Sequence, residues 1–240
     1  MKYSVKAFQT ILNYTEEKNT FQSYNEHALK LTKYLAKDSE LLRTEIFCQL
    51  CKQTTANPDP ESNLLGWELL ALCVSFAAPG PNMQPYLMSH CINNLHTSEK
   101  VKIYAEKVMA QAARSFKLKP RSMQLTIAEV EATKILRNLT IRIYFVDGKY
   151  ALLPVDILTT VSELETAIAN KLGLKYPKPF SLFELSLMEN DVEEERVLEK
   201  NERILEITAI WNMLYTKARE VEGKYGIFDY SFCINLIILI

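Results

Sequence analysis

Hydrophobic positions recur at helical spacing through residues 1–135 and at strand spacing just beyond, so the chain changes character once along its length. Within the helical part, Leu42, Ile46, Phe47 and Leu50 share one face at about 100° per residue, and Gln49 and Gln53 project from its edge. A Gln buried without hydrogen bonds costs about 1 to 3 kcal/mol, so both amides are expected to bond to a neighbouring helix or loop. Asn57-Pro58-Asp59-Pro60 ends that helix, because proline disfavours the αR conformation in the residue before it and brings no N–H. The same residues start the next helix, with Asp59 as N-cap, Pro60 at the first position and Glu61 favoured by the helix dipole. From Trp67 to Val74 only Glu68 is polar, the pattern of a helix surrounded by others, and Trp67 is expected in the core.

Further along, Asn82 is expected to open a helix with Pro85 in its first turn and Leu87, Cys91 and Leu95 on one face. Ser98 caps a longer amphipathic helix with Val101, Tyr104, Ala105, Val108 and Ala112 inward. Thr126-Ile-Ala-Glu129 is a capping box that starts a short exit helix. At Leu139 the period falls to two: Ile141, Ile143 and Phe145 alternate with Arg142 and Tyr144, Asp147-Gly148 makes a hairpin turn, and Tyr150 to Val155 returns. A second capping box, Thr160-Val-Ser-Glu163, opens a helix burying Val161, Leu164, Ala167, Ile168 and Leu172, which Gly173 closes. Phe180 to Leu187 reads as a strand, Asp191 to Glu195 as an acidic loop, and Ile204, Ile207, Trp211, Leu214, Ala218 and Val221 as a helix. Phe232 to Ile240 is an apolar strand that, uncovered, is an aggregation hazard.

The run from Leu42 to Cys73, with Asn63-Leu-Leu-Gly-Trp-Glu-Leu-Leu-Ala-Leu-Cys73 as its second half, resembles the signature of the myosin tail homology 4 (MyTH4) domain. Val5 to Tyr14 is similar to that family's opening helix, and Pro120-Arg121-Ser122 through Glu129-Val130-Glu131-Ala132 to its exit segment. Leu65, the stretch Phe76-Ala77-Ala78-Pro79-Gly80 and Thr15-Glu16 depart from the family's usual words. The hairpin, helix and strand that follow resemble the ubiquitin-like first lobe of a FERM domain, Asp147-Gly148 and Phe180-Ser-Leu-Phe-Glu184 being the closest matches. The resemblance implies an α+β chain in three parts. Residues 1–135 form an all-α helical bundle, 136–210 a ubiquitin-like β-grasp lobe, and 211–240 a linker helix with the truncated opening strand of a second FERM lobe.

Composition works mainly by exclusion. Hydrophobic residues make up 48% and charged residues 24%, enough for buried cores without staples. A net charge of -1 argues against a nucleic-acid binder, which needs a basic surplus to displace counterions. No apolar run reaches the ~18 to 20 residues that span a bilayer, and Met1-Lys2-Tyr3-Ser4-Val5 lacks a signal peptide's apolar core, so a cytoplasmic chain is expected. Five scattered cysteines fit reduced thiols rather than a disulfide framework. Cys48-Gln-Leu-Cys51 spells a C-x-x-C, which makes a zinc or thiol protein the outlying alternative. Zinc needs four ligands, though, and His90-Cys91 is the only other candidate pair, while a redox pair would open a helix after a strand. The phosphate-binding loop and the common hydrolase, metalloprotease and kinase words are missing, and His27, His90 and His96 carry no acid–base constellation. Neither catalytic residues, cofactor, metal nor small-molecule substrate is expected.

Function is expected to reside in charge. Lys100, Lys107 and Arg114 are spaced by seven along one helix edge, and Lys117, Lys119 and Arg121 extend the line. Such a stripe suits the acidic C-terminal tails of tubulin, an activity the resemblance implies for some family members. The reading is a non-catalytic tail cassette of an unconventional myosin-like protein, associated with the cytoskeleton. Its partners would be tubulin or actin-linked cytoskeletal proteins and cargo proteins. The alternative is a motorless adaptor carrying the same cassette in peripheral contact with a membrane.

Overall fold

A computed structural model describes residues 2–18, 21–145, 147–174, 181–187, 193–222 and 236–239. Two units emerge, Met1–Arg137 and Asn138–Ile240.

The first unit is helical: α1 (Lys2–Tyr14), α2 (Tyr24–Leu35), α3 (Glu40–Gln53), α4 (Pro60–Phe76), α5 (Gln84–Asn94), α6 (Glu99–Ser115) and α7 (Ile127–Lys134). Polar caps set most of the starts. Ser23, Ser39, Asp59, Ser98 and Thr126 each accept a hydrogen bond from a backbone N–H in the first turn of the helix that follows, satisfying a donor the helix leaves open. At α5 the expected cap at Asn82 does not form. The helix begins two residues later at Gln84, with Met83 at the cap position and no side-chain bond, because Pro81 to Met83 first complete a turn.

Helix α4 runs through the centre, and its Trp67, Leu69, Leu70, Val74 and Phe76 are all fully buried. The indole of Trp67 stacks on the ring of His90 with centroids 5.0 Å apart. Gly66 lets α3 approach closely, since a Cβ there would lie 2.8 Å from Thr54 Cγ2. Both glutamines donate through Nε2 to groups of other segments, although the Gln49 Oε1 is buried without a partner among the described residues. Gln49 Nε2 donates to the Ser4 carbonyl of α1 at 3.3 Å, and Gln53 Nε2 donates to Thr15 Oγ1, Ser62 Oγ and the Glu17 carboxylate. Glu17 also accepts from Asn57 Nδ2 and Ser62 Oγ, so one carboxylate ties the end of α1 to both sides of the proline stop.

The second unit is a β-grasp: β1 (Leu139–Phe145), β2 (Tyr150–Val155), α8 (Val161–Lys171), β3 (Ser181–Leu187), β4 (Glu193–Val197), α9 (Ile204–Glu222) and β5 (Leu236–Leu239). Gly148 takes the left-handed backbone conformation that the β1–β2 turn requires, and Gly173 does the same where α8 ends. Ile143, Leu153, Val155, Leu164, Ile168, Leu182 and Ile204 make the core.

Strand order is β2-β1-β5-β3-β4. The apolar C-terminal run was expected to open a second lobe. Residues Leu236 to Leu239 instead enter this sheet, parallel to β1 and antiparallel to β3. The two hairpins β1–β2 and β3–β4 each leave one inner edge of backbone donors and acceptors, and a strand between them satisfies both. The acidic segment is also corrected: Glu193 to Val197 pairs with β3 from Phe183 to Leu187, and is strand rather than loop. Phe180, Asp191 and the stretch 232–235 lie outside the described residues.

Candidate interaction surface

The basic stripe is built on α6. Ser98 Oγ accepts from Val101 N at 3.2 Å and fixes the helix start. Val101, Tyr104, Ala105, Val108, Gln111, Ala112 and Ser115 turn inward. That choice of buried face places Lys100, Lys107 and Arg114 within about 40° of one another on its flank, about 10 Å apart along the axis. Lys100 is exposed, Lys107 and Arg114 are half-buried, and Lys117 and Lys119 stand exposed just past the helix. Long side chains at such positions lay their methylene stems along apolar surface and present the charge outward. The nearest acids of the helix, Glu99 and Glu106, sit farther round, away from the Lys–Arg line.

Arg121 does not belong with them. It is 1% exposed, and its guanidinium pairs through both terminal nitrogens with the carboxylate of Glu129, itself 1% exposed. Arg121 N donates to the Phe76 carbonyl at 3.2 Å, fastening the exit segment to the end of α4. Glu129 carries a second duty in the α7 capping box, accepting from Thr126 N at 2.7 Å and from Thr126 Oγ1 at 2.9 Å. The expected six-residue patch therefore loses Arg121, while Lys100, Lys107, Arg114, Lys117 and Lys119 stand exposed or half-buried. Sequence held a signal for this, since the capping box already marks Glu129 as drawn back toward the chain that contains Arg121.

The cysteine pair is not poised for chemistry. Cys48 Sγ lies 3.7 Å from Met83 Sδ, and burial pushes the Cys51 thiol up to about 12, with Cys48 raised in the same direction. Activated thiols shift the opposite way. Among the described residues no group of three His, Cys, Asp or Glu side chains is arranged to hold a metal ion. His90 is occupied by its stack on Trp67 and a 2.7 Å contact with Thr54 Oγ1, and burial lowers its pKa. A cavity of about 310 Å³ between α1 and α2 is lined by Asn13, Glu16, Lys18, Gln22, Ser23, Tyr24 and His27, a polar lining unlike the mostly apolar walls of small-molecule sites. Among the described residues no helix is long and apolar enough to cross a membrane.

Two family models match the chain, the MyTH4 domain over residues 28–132 and the RA like domain over residues 137–228. Among curated relatives, the kinesin-like protein KIN-14I of Oryza sativa subsp. japonica is 33% identical over 188 residues, 75% of this chain and 15% of that protein. Myosin-VIIa of Drosophila melanogaster is 35% identical over 142 residues, 59% of this chain and 6% of that protein. The chain thus spans a small fraction of either relative. Among solved structures, the MF1 MyTH4-FERM domain of Dictyostelium discoideum myosin VII (mutant 2) has a TM-score of 0.82 at 22% identity, covering 99% of this chain and 47% of that one. The C-terminal MyTH4-FERM domain of human myosin 7b, solved in complex with the harmonin-a PDZ3 domain, has a TM-score of 0.64 at 20% identity, covering 98% and 46%. The helical unit coincides with the MyTH4 match and the mixed unit with the RA like match, the fold is that of the solved MyTH4-FERM domains, and the chain belongs to the family of proteins that carry a MyTH4 domain followed by an RA-like, ubiquitin-like lobe.

Proposed function

We propose that the chain is a non-catalytic tail cassette that joins a motor to the cytoskeleton and to protein cargo, and that the edge of α6 is its contact with the acidic tails of tubulin. The observation that carries the reading is a basic run, with Lys100, Lys107 and Arg114 along one edge of α6 and Lys117 and Lys119 exposed just past its end, in a chain of net charge -1. A local surplus of this kind attracts an acidic polymer where the bulk charge does not. Its similarity to kinesin-like and myosin proteins supports a motor tail over a motorless adaptor. The complex of the human myosin 7b module with a PDZ domain supports a protein as cargo.

The test is co-pelleting with microtubules over a salt series. Exposed charges are screened beyond ~8 Å at physiological ionic strength, so binding should weaken steeply as salt rises. Reversing Lys100, Lys117 and Lys119 to Glu should abolish pelleting while the protein stays folded. Pelleting that survives both salt and charge reversal rejects the patch.

A further inference from the structure

The β-grasp buries one face of its sheet and leaves the other apolar. Ile143, Ala151, Leu153 and Leu182 point to the helix-covered core, so the alternate residues face away. On that outer side the pairing register puts Tyr150, Tyr144, Phe183 and Val197 in one row, two on each side of β5. At about 4.8 Å per strand this row runs about 19 Å, from one sheet edge to the other. Tyr150 and Val197 are each 55% exposed and Leu152 is 48% exposed, while Tyr144 and Phe183 are half-buried. Apolar side chains on both flanks of one sheet face are the kind of surface that marks an interface.

Charge on the same face identifies the occupant. Arg142 lies two residues before Tyr144 on β1, and Glu195 two residues before Val197 on β4. The pairings make β1 and β4 run in the same direction, so the two charges share the adjacent row, near opposite edges. Arg142 is held in place, its guanidinium 4.7 Å from the Tyr150 ring centroid and Nη1 donating to Tyr144 Oη at 3.2 Å. Glu195 is exposed. An acidic partner covering the face would meet Glu195, and a basic one would meet Arg142. A surface positive at one side and negative at the other is complementary to itself.

We propose that this face binds a second copy of the chain, sheet on sheet, about a two-fold axis lying between the sheets and parallel to the strands. That rotation lays the β2–β1 side of one copy over the β3–β4 side of the other. Arg142 of each copy approaches Glu195 of its mate, and the two apolar rows interdigitate across about 10 Å. Five short strands bury less than the ~1,200 Å² of a standard interface, so the dimer is weak and depends on concentration and salt.

Sedimentation velocity of the whole chain from micromolar to millimolar concentration tests this. The weight-average mass should climb toward twice the monomer value. Tyr150→Glu and Arg142→Glu should each hold it at the monomer value with an unchanged far-ultraviolet circular dichroism spectrum, since both positions are exposed. The swapped pair Arg142→Glu with Glu195→Arg should restore the dimer, because the two-fold axis re-forms both charge pairs. A chain that stays monomeric to millimolar concentration overturns the proposal and leaves the face to a foreign partner. A dimer that persists in Tyr150→Glu, or a charge swap that fails to restore association, overturns it as well.

Discussion

Arg121→Ala separates the two roles this residue was open to. With its guanidinium fully covered and its carboxylate partner Glu129 equally buried, removing Arg121 leaves the Glu129 charge without that partner inside the helical unit. Breaking one side of a buried pair costs about 3 to 5 kcal/mol. In a unit of this size about 1 kcal/mol shifts the midpoint by roughly 3 to 4 °C, so the loss should be about 9 to 20 °C. Glu129→Gln should cost a similar amount, because its amide oxygen still caps Thr126 N while Arg121 is stranded. The double variant Arg121→Met with Glu129→Gln removes both charges and keeps the cap, and should recover most of the loss, so the coupling energy should be at least as large as one single variant's cost of about 3 to 5 kcal/mol. Urea and thermal unfolding followed by circular dichroism would measure the cycle. A cost for Arg121→Ala below about 1 kcal/mol would refute the reasoning, since that is the value of an exposed pair, and would return Arg121 to the basic edge.

Three other substitutions probe the same unit. Glu68 is buried in α4, and desolvation raises its pKa against the opposing pull of Lys134 and hydrogen bonds from Tyr104 and Tyr14. A carboxyl whose folded pKa lies above its unfolded value contributes stability that is fully present below the unfolded pKa and is lost as pH rises through the folded one. Glu68→Gln should therefore gain on the wild type as pH rises from 4 toward 8 in urea titrations, and parallel curves would contradict it. Gly66→Ala should cost about 1 to 3 kcal/mol because the new Cβ meets Thr54 Cγ2 at 2.8 Å, and Thr54→Ser, which deletes that methyl, should relieve it; a neutral melting curve for the single variant would show that the helices move apart freely. Trp67→Ala should cost about 3 to 5 kcal/mol, and an unchanged melting temperature would sink its place in the core.

What the sequence disclosed was whatever depends on neighbours within a few residues. Asp59 and Pro60 before a run of apolar residues specify the start of α4 by local stereochemistry, and Thr126 with Glu129 specifies α7 in the same way. Gln49 and Gln53 announced a need for partners but not who the partners were, because Ser4, Thr15 and Glu17 lie more than thirty positions away in the chain. The α5 start was misplaced for the opposite reason: Asn82 is a good cap in isolation, but the proline on its N-terminal side draws it into a turn.

Arg121 and the last strand were misread through one common cause. A cation after Lys117 and Lys119 continues a visible pattern, and an apolar strand after a helix begins a new element, so each looked complete without reference to the rest of the chain. Unmet needs elsewhere decided both. Glu129 sits in a buried capping box, and a carboxylate kept there needs a counter-charge, which the chain eight residues earlier can supply. Two hairpins in one sheet leave two inner edges unpaired, and a strand that satisfies both gains more hydrogen bonds than one that starts a sheet alone. Counting unsatisfied groups before assigning new ones points to the same answer in each case. It also points to the outer face of the grasp, where Tyr150, Leu152 and Val197 stand exposed, as the place to look for the next partner.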